Sequence, residues 1–93
     1  MAPDDLPDLR RALLNALYLR RVGALTASFL VKKANQRAGL DASTREATLE
    51  LDYLTKRGLV EEAPDPDGLG GNLTRYALTA EGVHYCERHG LTD

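Results

Sequence analysis

The sequence predicts a mainly α-helical fold with one small antiparallel β-hairpin set between its third and fourth helices, and three observations carry that prediction. First, Ser43 precedes Glu46 by three residues. Its hydroxyl can accept a backbone N–H while the Glu46 carboxylate reaches back to the Ser43 N–H, the reciprocal pattern that opens a helix. Second, Gly58 can close that helix, because glycine adopts the left-handed conformation of a helix stop at little cost. Third, two short apolar runs, Leu59-Val60 and Tyr76-Ala77-Leu78, flank Pro64-Asp65-Pro66-Asp67-Gly68-Leu69-Gly70-Gly71-Asn72, which has the residue types of a turn and cannot propagate a helix. The 93 residues are 43% hydrophobic with no Trp and one Phe, so a single domain over 1–93 with a small core of Leu, Ala and Val is expected, with flexible ends at 1–6 and 90–93.

The first helix is expected to begin at Pro7, a residue favoured in the first turn. Asp5 or Asp8 places negative charge at the positive end of the helix dipole, and Arg20, Arg21 and Gly23 supply the stop. Leu6, Leu9, Leu13, Ala16 and Leu17 share one face. Leu14 and Tyr18 widen it by about 100° to 140° at 100° per residue. Two readings of that width are open, packing within the chain and contact with a second copy, and Leu14 and Tyr18 are the candidate homodimer residues. Ala24-Leu25-Thr26 has the length of a short first strand.

The second helix should run from about Ala27 to Arg37, capped by Thr26 or Ser28, with Ala27, Leu30, Val31, Ala34 and Ala38 inward. Phe29 points the other way, near Lys32, Lys33 and Gln36, either tucked under a neighbouring element or offered to a partner. Gly39-Leu40-Asp41-Ala42 turns the chain into a third helix over 43–57. Its inward face is Ala47, Leu51 and Leu54, and its outward face is Arg45, Leu49, Asp52 and Lys56. Thr44 and Thr48 lie on one shoulder and Glu46, Glu50 and Tyr53 on the other. Strands follow near 59–63 and 73–78. A fourth helix runs from Thr79 as N-cap to about His89, with Val83 and Cys86 inward and Gly90 as its stop. Gly82 inside that helix costs about 1 kcal/mol relative to Ala, which points to a close approach by another element.

The spacings Leu51, Leu54, Gly58, Leu59, Val60 and then Tyr76, Leu78, Thr79, Gly82 read as "L..L...GLV" and "Y.LT..G". In that order they resemble the winged helix-turn-helix superfamily over about residues 9 to 89, and within it the small winged-helix proteins of Mu-like prophages. The resemblance implies the order helix, short strand, helix, helix, strand, wing, strand, helix. It also implies a transcriptional or phage-related regulator that binds double-stranded DNA, with 43–57 as the recognition helix lying in the major groove.

On that reading Thr44, Arg45 and Thr48 face base edges or phosphates: Arg grips guanine bidentately, and Thr donates to phosphate or touches a thymine methyl. Lys32, Lys33 and Lys56 add basic contacts, and Asn72 and Arg75 are the contacts expected from the wing, whose tip otherwise carries Asp65 and Asp67.

Charge gives this reading mixed support. The net charge is −2, the wrong sign for a domain held mainly by phosphates. Residues 10–57 nevertheless carry ten Lys/Arg against four acids, a balance of +6, between ends of −3 and −5. Glu46, Glu50 and Asp52 cancel Arg45, Lys56 and Arg57, so the third helix is neutral, and an outward Leu49 is unusual for a groove-binding surface. The competing class is a protein-interaction module on the same scaffold, with Leu49, Tyr53 and Phe29 as anchors.

Catalysis and cofactors are not expected, because no glycine-rich phosphate loop follows a strand and no nucleophile and base stand at a recognisable spacing. Cys86 and His89 are an i, i+3 pair, but His84 lies about 200° from Cys86, so no metal site is expected there. A single Cys makes no internal disulfide, no apolar run approaches the roughly 20 residues of a membrane span, and the first eight residues are acidic where a signal peptide is basic. The expected location is the cytoplasm.

Overall fold

The computed structural model describes residues 8–20, 24–63 and 74–92. Its elements are α1 (Asp8–Leu19), β1 (Leu25–Thr26), α2 (Ala27–Ala38), α3 (Thr44–Lys56), β2 (Val60–Ala63), β3 (Arg75–Leu78) and α4 (Ala80–Arg88). The expected starts at Pro7 and stop at Gly23, and the tip of the wing, lie outside the described residues.

Each helix after the first begins where a hydroxyl replaces a missing intrahelical partner. Thr26 accepts from the Phe29 N–H at 3.2 Å, and Thr79 accepts from the Gly82 N–H at 3.0 Å. Ser43 and Glu46 form both halves of the capping box at 3.1 Å each. Stops are equally local. Gly39, Gly58 and Gly90 have φ of 68°, 80° and 71°, in the left-handed region. After Gly58 the Leu59 N–H bonds back to the Leu54 carbonyl at 3.1 Å, so the chain leaves α3 directly into β2. Ser43→Ala is expected to cost about 1 kcal/mol, read as a lower urea midpoint at unchanged slope. An unchanged midpoint would mean that packing alone holds the start of α3.

The three strands form an antiparallel sheet in the order β1-β3-β2, with Leu25 opposite Tyr76 and Val60 opposite Leu78. Leu13, Leu14, Leu17, Leu30, Leu51, Leu54, Val60 and Cys86 are fully buried in one cluster, closed by Tyr76 from the sheet and Leu91 from beyond α4. Gly82 sits where α4 crosses the exit of α3. A Cβ there would stand 2.0 Å from the Leu59 carbonyl oxygen, a backbone atom that also accepts the Thr79 N–H at 3.1 Å.

Four expectations are corrected. Leu14 is 0% exposed, and the Cys86 thiol donates to its carbonyl at 3.6 Å, so it is a core residue facing α4 and offers no surface to a second copy. Tyr18 is half-buried against the same cluster, and its hydroxyl donates to Glu87 at 3.3 Å, so its apolar body belongs to the α1–α4 contact. Ala38 is exposed, because α2 ends there, one residue before the Gly39 cap. Leu91 is buried and clasped: its N–H bonds the Cys86 carbonyl at 2.8 Å and its own carbonyl accepts from Asn15 at 3.0 Å, so the chain is docked where a loose end was expected. Burial, then Glu87, pushes the Cys86 thiol up to about 11.

Candidate nucleic-acid interface

The outward side of α3 is set by the three residues that point inward, Ala47, Leu51 and Leu54, all buried. Thr44, Arg45, Thr48 and Leu49 consequently face solvent in the first two turns. The Thr48 hydroxyl donates to the Thr44 carbonyl at 2.9 Å, so its one donor is used inside the helix and outward it has its lone pairs and its methyl group.

The three carboxylates of this helix, which in the sequence simply cancel its cations, each have their own partner. Glu46 is turned back onto the Ser43 N–H in the capping box. Glu50 accepts from the Arg10 guanidinium of α1 at 2.7 Å, and both side chains are largely buried. Asp52 pairs with Lys56 at 3.4 Å on the solvent side. All three carboxylates of α3 therefore have a partner, Glu46 in the cap one residue from Arg45, Glu50 towards α1 and Asp52 on Lys56.

Beside this face lies a groove of about 540 Å³ bounded by the start of α2, the start of α3 and β3. Its wall is largely apolar, but all of its lining residues except Ala27 carry a hydroxyl: Thr26, Ser28, Thr44, Thr48, Thr74 and Tyr76. Two helix N-termini open onto it, each with backbone N–H groups and positive dipole charge. Burial, then Glu62 and Asp52, raises the Tyr76 phenol above its ordinary value, so that hydroxyl stays protonated and able to donate. Sequence reasoning missed this groove. Its hydroxyls come from three elements spread over some fifty positions, and Thr26 and Ser28 were legible only as helix caps.

The remaining candidates are scattered around this surface. Lys32 is exposed on α2. Lys33 is half-buried and stands over the Phe29 ring at 5.5 Å, with Arg20 over the same ring at 5.3 Å, so Phe29 is sheltered by two cations. Tyr53, 38% exposed, is held by Arg10 at 4.2 Å from its ring centroid, while Arg57 donates to its hydroxyl at 2.7 Å. Arg75 lies half-buried in the central strand between Thr26 and Ala63, and its Nε is enclosed with no hydrogen-bond partner among the described residues. Asn72 lies outside the described residues. Of the three anchors of the protein-interaction reading, Leu49 is the most exposed, at 65%, and Tyr53 and Phe29 are each covered in part by two cations.

No family model matches the sequence, and no curated protein is similar to it. Solved structures do match its fold. The PcaV transcriptional regulator from Streptomyces coelicolor, in complex with its natural ligand, superposes with a TM-score of 0.71 at 26% identity, over 98% of this chain and 57% of that one. The multiple antibiotic resistance repressor MarR gives 0.68 at 26% identity, over 96% and 58%. ZitR of Lactococcus lactis, as a mutant, gives 0.66 at 16% identity, over 97% and 54%. The fold is thus the winged helix of MarR-type regulators, and the chain spans a little over half the length of these proteins. The narrower resemblance to Mu-like prophage proteins gains no support from them. Among the described residues, no helix is long and apolar enough to cross a membrane.

Proposed function

We propose that this winged-helix chain binds double-stranded DNA as a transcriptional regulator, with α3 in the major groove. The observation that carries the reading is the pairing of an exposed Thr44, Arg45 and Thr48 with the hydroxyl-lined groove beside them, while every carboxylate of α3 is engaged elsewhere. Arg45 is the base reader. The hydroxyls of Thr26, Ser28, Thr44, Thr74 and Tyr76, whose donors are not spent as that of Thr48 is, and the helix N-termini hold a backbone phosphate, which accommodates the overall −2. Lys32 and Lys33 flank a phosphate path along α2, and Asn72 and Arg75 serve the wing. The likeness to PcaV and MarR, each a regulator or repressor by name, supports this class of function over catalysis. A winged helix reads a short site, so the chain is proposed to act as a homodimer on two half-sites, through a surface that does not include Leu14.

The test is retention of labelled genomic fragments at low salt. Binding should fall steeply as salt rises. Arg45→Ala should weaken it about ten- to a hundredfold and relax the base preference at one position. Lys32→Ala should leave the preference intact and lower the slope of log affinity against log salt by about 1. No retained fragment at low salt would overturn the proposal.

A further inference from the structure

Leu49 is the most exposed large hydrophobic residue described, at 65%, and it stands at the centre of the outward face of α3. Arg45 lies one turn before it and Asp52 one turn after, all on one ridge, so a groove that receives Arg45 also receives Leu49. The polar groups on its flanks are directed elsewhere. Thr48 donates back into the helix, Asp52 pairs with Lys56, and Tyr53 is held between Arg10 and Arg57.

What the helix presents at Leu49 is a bare isobutyl group beside a bidentate cation. The major-groove edge of a base pair offers one apolar group of matching size, the C5 methyl of thymine; cytosine has only a hydrogen at that carbon, and guanine and adenine present donors and acceptors at this edge. We infer that Leu49 is a specificity-determining residue that reads a thymine methyl next to the base read by Arg45. The inference rests on the DNA-binding reading above and adds a required base to the half-site.

The experiment removes only the methyl. A randomised duplex pool is selected on the full chain, and each thymine of an enriched duplex is replaced singly by deoxyuridine, which keeps every hydrogen-bonding group. For the parent chain one replacement should weaken binding about three- to fivefold, the value of one buried methyl group. Leu49→Ala, at an exposed position where folding is not at stake, should bind the thymine and deoxyuridine forms equally. Arg45→Ala should keep the deoxyuridine effect while losing preference at the neighbouring base. Indifference of the parent to deoxyuridine at every position, or an undiminished effect in Leu49→Ala, overturns the inference and leaves DNA binding standing. A pool from which the parent enriches nothing overturns both.

Discussion

Gly82→Ala is expected to destabilise the chain by about 3 kcal/mol, although the same exchange in an unencumbered helix stabilises by up to about 1 kcal/mol. The sign is decided by the Leu59 carbonyl. An added Cβ would stand 2.0 Å from its oxygen and 2.9 Å from Leu78 Cδ2. The side chain of Leu78 can rotate, but the carbonyl is fixed from two directions, by the Thr79 N–H that it accepts and by the Gly58–Leu59 exit from α3, where the Thr79 hydroxyl donates to the Gly58 carbonyl at 2.6 Å. Relief therefore requires α4 to move away from the junction of α3 and β2. Thermal unfolding should show a midpoint lower by about 15 °C. A raised midpoint would mean that α4 does not approach this junction in solution.

Leu14→Glu is expected to leave the chain unfolded or nearly so at 25 °C. Truncating a buried Leu costs about 2–5 kcal/mol, and an unpaired carboxylate in its place adds several more, against a total stability of about 5–15 kcal/mol for a domain. Leu14 has no exposed surface through which the charge can reach water, and α4 closes over it at Cys86. Tyr18→Phe removes the exposed hydroxyl that donates to Glu87 and should change stability by about 0.5 kcal/mol or less. Far-UV circular dichroism with sedimentation separates the outcomes. A Leu14→Glu chain that stays folded while losing self-association would return Leu14 to an interface.

These contrasts show what the sequence made legible. Elements fixed by neighbours within a few residues could be read in advance: the Ser43–Glu46 box, the Thr79 cap, a hydroxyl cap at Thr26 or Ser28 of which the structure uses Thr26, the turn beginning at Gly39, the stops at Gly58 and Gly90, and the strands on either side of 64–72. Features fixed by distant partners could not. The helical angle that placed Leu14 beside the apolar stripe was sound, but whether that flank faces solvent depends on Cys86, 72 positions away. Glu50 looked like a charge opposed to DNA because its partner, Arg10, lies 40 positions earlier. Arg45, Thr44 and Thr48 could be placed on the outward face from periodicity alone; the hydroxyl groove beside them needed three elements to assemble.

The same Arg10 ties α1 to the helix proposed to read the bases. It grips Glu50 and stacks on Tyr53, both on α3, and Arg57 clasps Tyr53 through its hydroxyl. α1 is thereby joined by side chains to the C-terminal half of α3. α3 is about 20 Å long, so a tilt of about 5° imposed at α1 swings its far end by about 2 Å, more than half of the roughly 3.4 Å step between base pairs. On the proposed pairing of two chains on two half-sites, a grip on α1 would then bear on the spacing that a pair of these helices can span.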